Sequence, residues 1–233
     1  MSTYESVTFS CLQCGIAMTQ HMLIGMHITR LPKVRDSILR EDFQQYTCSV
    51  CGFVNQVEKQ SIYTDFERKQ YIGVESPDTR GWSSRLSIHQ QAFDRAFMMG
   101  DPTAREMGGN MVTRIVFGLQ ALREKLLLWD AELDDRIVEI GKRIILEAAE
   151  LDVRQYSLRL LSIHEQDLHF GLFEHHSASN AQSDNQRTLT VSDPIDTVTV
   201  FHHQMEAWHR DAHMLLEHNP WARRQWLVDA SIL

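Results

Sequence analysis

Four cysteines in two identical frames offer the clearest chemistry in this 233-residue chain: Cys11-Leu12-Gln13-Cys14-Gly15 and Cys48-Ser49-Val50-Cys51-Gly52. They are all the cysteines the protein has, so no thiol is left over. Two residues between a pair of cysteines let both sulfurs turn toward one point. The glycine behind each second cysteine permits the positive φ of a tight turn. Two such pairs supply the four thiolates that a tetrahedral ion takes at about 2.3 Å. The expectation is therefore a Zn2+ site with Cys11, Cys14, Cys48 and Cys51 as ligands. Four sulfurs leave no open position for a substrate, which makes the zinc structural. The competing chemistry, thiol–disulfide exchange, requires a Cys-x-x-Cys pair at a helix N-terminus to lower the thiolate pKa. Both pairs here follow expected strands.

A second group is His202, Glu206, His209 and His213, at steps of four, three and four on an expected C-terminal helix. One helix face carrying His and Glu at this spacing can hold Zn, Fe or Mn. Val198, Phe201, Met205, Trp208, Ala212 and Leu215 form the adjoining apolar stripe, so the same imidazoles also fit as packing groups at the margin of a buried face. His164, His175 and His176 could join them only through the fold. Glu124-Lys125 and Asp134-Asp135-Arg136 are acid–base candidates; the simpler expectation is the solvated, ion-paired face of a helix. No nucleophile elbow, phosphate-binding glycine loop or dinucleotide fingerprint occurs.

The elements that must position the cysteines read as follows. Residues 5–10 and 16–29 suggest strands on either side of the first pair. Leu31-Pro32 opens a helix running to about Asp42, with proline at its first position and Val34, Ile38 and Leu39 as its buried stripe. Phe43 to Thr47 returns as a strand into the second pair. Phe53–Tyr63 and Lys69–Val74 read as two antiparallel strands joined at Thr64–Arg68. The 33 residues between Cys14 and Cys48 thus form an excursion pinned at both ends.

Ser76-Pro77-Asp78 and Gly81 mark a boundary, and residues 84–99 read as helix. Breaks follow at Gly100-Asp101-Pro102 and Gly108-Gly109-Asn110. Leu119, Leu122, Leu126, Trp129, Leu133, Ile137, Ile140 and Ile144 then recur at helical steps, as one long helix or two joined near Asp130–Asp135. Such a stripe serves core packing or a dimer seam. Gly141 weakens it by about 1 kcal/mol relative to alanine. Residues 156–163 and 168–174 have strand character, residues 177–186 a flexible polar character, and Thr188–Val191 resumes a strand. Asp193-Pro194 is expected to start a last helix running to about His218, although the β-prone run Thr197–Val200 can delay it.

Composition narrows the partners. With 23 basic and 31 acidic residues the net charge is −8, and the excess is largest after residue 150. No Lys/Arg block offers a footprint for a phosphate backbone, so nucleic acid is disfavoured. No run approaches a membrane span, and no secretory leader is visible. Paired cysteines in a leaderless chain suit a reducing, cytoplasmic setting, where metal ligation is favoured over disulfides.

The sequence resembles the bacterial CpXC domain proteins, named for two Cys-Pro-x-Cys knuckles flanking a mixed insert. Leu31–Leu39 leading to Phe43-Gln44-Gln45-Tyr46-Thr47-Cys48 is similar to that family's approach to its second knuckle. Ile62–Val74 resembles its Tyr-x-Asp strand pair. Arg114-Ile115-Val116-Phe117-Gly118, with Leu122–Lys125 and Leu133–Arg136, resembles the helical part that often follows. The resemblance covers about residues 5–150. Leu12 and Ser49 stand where the family usually has proline, which stiffens a knuckle but ligates nothing. The resemblance implies fold and metal, and no defined biochemical role.

Together these readings give an α+β protein with a zinc-ribbon-like module at 1–80 and a helix-rich region with a small antiparallel sheet at 81–233. The expected function is non-catalytic, with structural zinc and a surface that binds another protein. A homodimer through the long apolar stripe is a subsidiary expectation. A nucleic-acid-binding zinc ribbon and a metalloenzyme using His202, Glu206, His209 and His213 are the alternatives.

Overall fold

The computed structural model describes residues 2–76, 82–174, 186–189, 193–223 and 226. Pro77, Asp78 and Gly81 of the expected boundary, His175, His176, the expected polar loop up to Asn185 and Val191 lie outside the described residues. In chain order the elements are β1 (Thr3–Ser10), β2 (Ala17–His27), α1 (Pro32–Leu39), β3 (Gln45–Thr47), β4 (Val54–Lys59), β5 (Ser61–Asp65) and β6 (Gln70–Glu75). Next come α2 (Trp82–Phe93) with a π-helical turn at Asp94–Met98, α3 (Pro102–Gly109), β7 (Val112–Phe117), α4 (Leu119–Asp130) and α5 (Asp135–Ala148). The chain continues with β8 (Tyr156–His164), β9 (Asp167–Glu174), β10 (Gln186–Leu189), β11 (Asp196–Val200), α6 (His202–Arg210), α7 (Ala212–His218) and a short 3-10 turn at Pro220–Arg223. The fold is α+β.

Two compact units form: residues 1–119 with 180–190, and residues 120–179 with 191–233. The first contains a five-stranded sheet in the order β1-β2-β5-β6-β7 and a three-stranded sheet in the order β10-β4-β3. The larger sheet is mixed: β2 and β5 are parallel, as are β6 and β7, and the other pairs are antiparallel. It takes in β7, which lies beyond residue 80. Strand β6 is buried along its whole length. On its tyrosine side, Tyr71 meets Phe93 and Phe97 edge-on, with ring centroids 5.0 and 6.1 Å apart. Asp65 of the Tyr-x-Asp segment caps the β5–β6 turn, accepting from the N–H groups of Glu67 and Arg68.

Several expectations change here. Phe53–Tyr63 is not one strand but β4 and β5, which break at Gln60 and enter different sheets. Nothing at Gln60 marks a turn; its amide instead donates to the buried Glu75 at 2.8 Å. Residues 114–117 are not helical but belong to β7, whose Ile115 and Val116 are buried beside β6. A short apolar run of this kind has no periodicity that separates strand from helix. In α1, Ile38 is buried as expected, but its partner in burial is Arg35, while Val34 and Leu39 are half-buried.

The second unit pairs α4 and α5 with the antiparallel sheet β11-β9-β8. Its core gathers Leu128, Val138, Leu146, Leu158, Leu160, Leu168, Phe170, Val200 and Met205. The long apolar stripe is two helices. Glu132, at φ 57°, turns left-handed, and the Leu133 N–H donates to the Leu128 carbonyl at 2.9 Å, closing α4 without a glycine. Glu150 closes α5 the same way, with Leu151 donating to Leu146. The stripe goes largely into the core; Ile144 is the exposed exception. The final helix starts at His202, not at Pro194, because Thr197–Val200 pairs with β9. Its β-branched side chains suit a pleated surface better than a helix.

The helix pair is also held by ions out of water. Glu124, Lys125, Asp135, Glu139 and Lys142 are all buried, so the expectation of a solvated face fails for this cluster. The Lys125 ammonium donates to Glu139 at 2.8 Å and lies 3.4 Å from Asp135; that of Lys142 lies 2.7 Å from Glu124 and 2.9 Å from Glu139. The second oxygen of Glu124 accepts the Leu160 N–H at 2.9 Å, tying α4 to β8. Burial alone would raise the Glu139 pKa, but the two ammonium groups outweigh it and hold it at about 2. Burial likewise opposes the charge on Lys125, and Glu139 and Asp135 reverse that, raising its pKa.

Glu139→Gln leaves two buried ammonium groups short of a partner and should cost about 3–5 kcal/mol in urea denaturation at pH 7. A group with a depressed pKa stabilises the fold above its ordinary value and loses that contribution on acidification. The native protein should therefore lose stability between pH 4.5 and about 2, and the Gln variant should lack this component. Equal acid dependence in both would contradict the network. Separately, a Cβ on Gly141 would lie 2.1 Å from the Trp208 ring. Gly141→Ala should therefore destabilise by about 1–3 kcal/mol despite the gain in helix propensity, and Trp208→Leu in the same chain should recover part of the loss.

Candidate metal centre

Each cysteine pair occupies the turn of a hairpin. Strand β1 ends at Ser10, Cys11–Gly15 makes the turn, and β2 returns; β3 and β4 flank the second turn in the same way. The hydrogen bonds repeat. Cys11 N–H donates to the Ile16 carbonyl at 2.8 Å and Gly15 N–H to the Cys11 carbonyl at 2.9 Å. Cys48 N–H donates to Phe53 at 2.8 Å and Gly52 N–H to Cys48 at 2.9 Å. Gly15 and Gly52 sit at φ 72° and 75°, where a side chain would be strained.

The two turns bring all four sulfurs together, within 4.8 Å of one another. Cys11 and Cys51 are 3.7 Å apart, sulfur to sulfur, as are Cys14 and Cys48. A tetrahedron with metal–sulfur bonds of about 2.3 Å has an edge of about 3.8 Å. A disulfide requires about 2.05 Å. The donor set thus fits a metal ion, and the four cysteines could hold one. Cys11 and Cys48 are buried among Val7, Phe9, Met18, Met22 and Val57, whereas Cys14 and Cys51 are exposed residues.

The surroundings favour thiolate unevenly. Burial opposes ionisation of Cys11, yet the N–H groups of Cys14 and Gln13, with help from Asn55 and Cys51, bring it down to about 6. The N–H groups of Cys51 and Val50 lower Cys48 in the same manner. At Cys51 the Phe53 N–H favours the thiolate, but the partial loss of water around the thiol and the three neighbouring sulfurs prevail and push it up to about 12. Backbone donors alone therefore stabilise part of the negative charge that four thiolates would carry. A cation among them would meet the remainder.

Asn55, on β4 and fully buried, links the two turns. Its carbonyl oxygen accepts the Leu12 N–H at 2.9 Å, and its amide nitrogen lies 3.6 Å from the Cys11 sulfur and 3.2 Å from the Phe53 carbonyl. Sequence reasoning missed this residue. An asparagine inside a strand, four residues after Cys51, was the available signal, because strands are poor in asparagine.

The histidine row does not converge in the same way. His202, Glu206 and His209 lie on α6, but the helix breaks at Asp211 and His213 falls on α7. His202 approaches Glu206 at 3.4 Å, His213 approaches Glu217 at 3.9 Å, and His209 bonds the Met205 carbonyl through Nδ1. His164 is exposed at the end of β8. Among the described residues, the four cysteines form the one group of three or more His, Cys, Asp or Glu ligand atoms close enough to share an ion. On the packing side of α6, Met205 is buried and Trp208 half-buried, but Phe201, His202 and His213 are exposed, so the packing alternative holds for part of the apolar stripe and not for those two imidazoles.

Removing the bridge tests the geometry. Asn55→Ala should weaken metal binding about 10- to 100-fold in a chelator competition. Asn55→Asp keeps the acceptor for Leu12 but turns a negative charge toward sulfur, and should weaken it at least as much. Unchanged affinity in both variants would contradict a bridging role.

No curated protein matches the chain, and no solved structure does. Residues 9–142 match the sequence profile of the family described as CpXC protein. The matched span includes both cysteine turns, Asn55 and the buried charges of α4 and α5. On this match, over more than half its length, the chain belongs to the CpXC protein family.

Proposed function

We propose that this CpXC protein carries one Zn2+ on Cys11, Cys14, Cys48 and Cys51, that the ion is structural, and that the protein acts by binding another protein without catalysing a reaction. The observation that carries the reading is the sulfur–sulfur spacing of 3.7 Å, close to the edge of a zinc–thiolate tetrahedron. Four sulfurs complete that shell, so no site is left on the ion for water or substrate. The ion would join a turn after β1 to a turn after β3, with 33 residues between Cys14 and Cys48, and its binding free energy would be folding free energy for the first unit. A reducing compartment, where the thiols stay free for metal, fits this chemistry.

Two alternatives are weaker on specific grounds. A nucleic-acid-binding ribbon would offer cations at its turns, yet Ser10–Ala17 and Thr47–Gln56 contain no charged residue. A metalloenzyme would require the α6–α7 histidines to share an ion.

Elemental analysis of the purified chain should find one zinc per chain, unchanged in His209→Ala. Cys11→Ser and Cys48→Ser should each lose the metal and lower the melting temperature of the first unit, as should chelation of the native protein. Unaltered melting in both serine variants would contradict a structural ion. A second metal lost on His209→Ala would favour the enzyme reading.

A further inference from the structure

The residues around the cysteines are unusual for an exposed surface. Leu12 and Val50 lie inside the Cys-x-x-Cys turns, and Ile16, Phe53 and Val54 follow them; all five are exposed, Val50 by 68%. Large apolar side chains gathered on an exposed tip mark an interaction site more often than solitary ones do. Cys14 and Cys51, in the same turns, are exposed residues. Neither turn, Ser10–Ala17 or Thr47–Gln56, contains lysine, arginine, histidine, aspartate or glutamate.

Zinc with four thiolates carries a net charge of about −2. On this tip the charge would have no basic side chain of its own turns to balance it, and the exposed Cys14 and Cys51 are the ligands a donor from outside would approach. The surface thus combines an apolar rim with an anionic centre. A second copy docked on the same face would oppose two like-charged centres, and a phosphate backbone would meet the same repulsion. A segment with a large apolar side chain and a nearby arginine or lysine complements both features. Its apolar group would sit against Leu12, Val50 and Phe53, and its cation would donate to the sulfurs of Cys14 and Cys51.

We propose that the cysteine tip is a docking surface for a basic, apolar peptide segment of a partner protein, anchored on Leu12, Val50 and Phe53. This inference rests on the zinc reading above and names the surface through which the protein would act.

The test selects binders from a library of short random peptides with the zinc-loaded full chain as bait. It compares the native protein with the double variant Leu12→Ser, Val50→Ser, with zinc content and melting temperature measured on both. Peptides enriched by the native chain should place arginine or lysine within a few residues of a large apolar side chain. Their affinity should fall about tenfold or more in the double variant, as for loss of central apolar anchors, and should weaken with added salt. The variant keeps the net charge of −8, so non-specific attraction of basic peptides would survive in it. Absence of enrichment, enrichment of acidic or purely apolar peptides, or equal binding by both proteins would overturn the docking surface while zinc remains bound. Competition by single-stranded DNA at equal affinity would overturn it in favour of nucleic acid. A native chain without zinc would instead remove the reading on which the proposal rests.

Discussion

The meeting of four sulfurs is the constraint on which the first unit depends. Two turns distant in sequence share one point, and each turn sends its strand back along the one before it. From the first turn β2 runs back antiparallel to β1; from the second, β4 runs back antiparallel to β3. The buried sulfurs of Cys11 and Cys48 belong to the same apolar cluster as Val7, Phe9, Met22 and Val57, so the candidate metal site and the core around it are one structure. Asn55 adds a polar link that positions the Leu12 N–H and faces the Cys11 sulfur. An ion here would exchange repulsion among thiolates for coordination, at a place already shaped for a tetrahedron.

The second unit is held by different physics. Its apolar core is ordinary, but the α4–α5 pair also carries two lysines and three carboxylates out of water. Desolvating such groups is costly, and the cost is offset only where the charges are close and well bonded. Contacts of 2.7 to 2.9 Å meet that condition for Lys125, Lys142, Glu124 and Glu139. Once in place, the network favours one register of α4 against α5, because a shift along either helix would strand a charge. The close approach of Trp208 to Gly141 sets a second geometric condition on α5.

The sequence made the cysteine turns, the strands beside them and the α+β class legible, since ligand spacing and turn glycines are local features. What it hid was non-local or lacked a local marker. Nothing at Gln60 shows that β4 and β5 enter different sheets. Ile115 and Val116 read equally well as the start of the helix that follows, and only pairing with β6 makes them a strand. The division of α4 from α5 uses Glu132 in a left-handed turn, where a glycine would have announced it. Asp193-Pro194 carries a strong helix-start pattern, yet pairing with β9 outweighs it over the β-branched run that follows. Charges on a helix are usually solvated, so the burial of Glu124 and Lys125 emerges only when α5 and β8 close over them. The histidine row depended on one unbroken helix, and the break at Asp211 removes that premise.

If zinc sits in a closed shell of sulfur, as proposed, X-ray absorption at the zinc edge of the purified protein should show four sulfur scatterers at about 2.3 Å and no nitrogen or oxygen neighbour. A shell containing nitrogen or oxygen, or a metal-free protein whose cysteines are joined as disulfides, would contradict it.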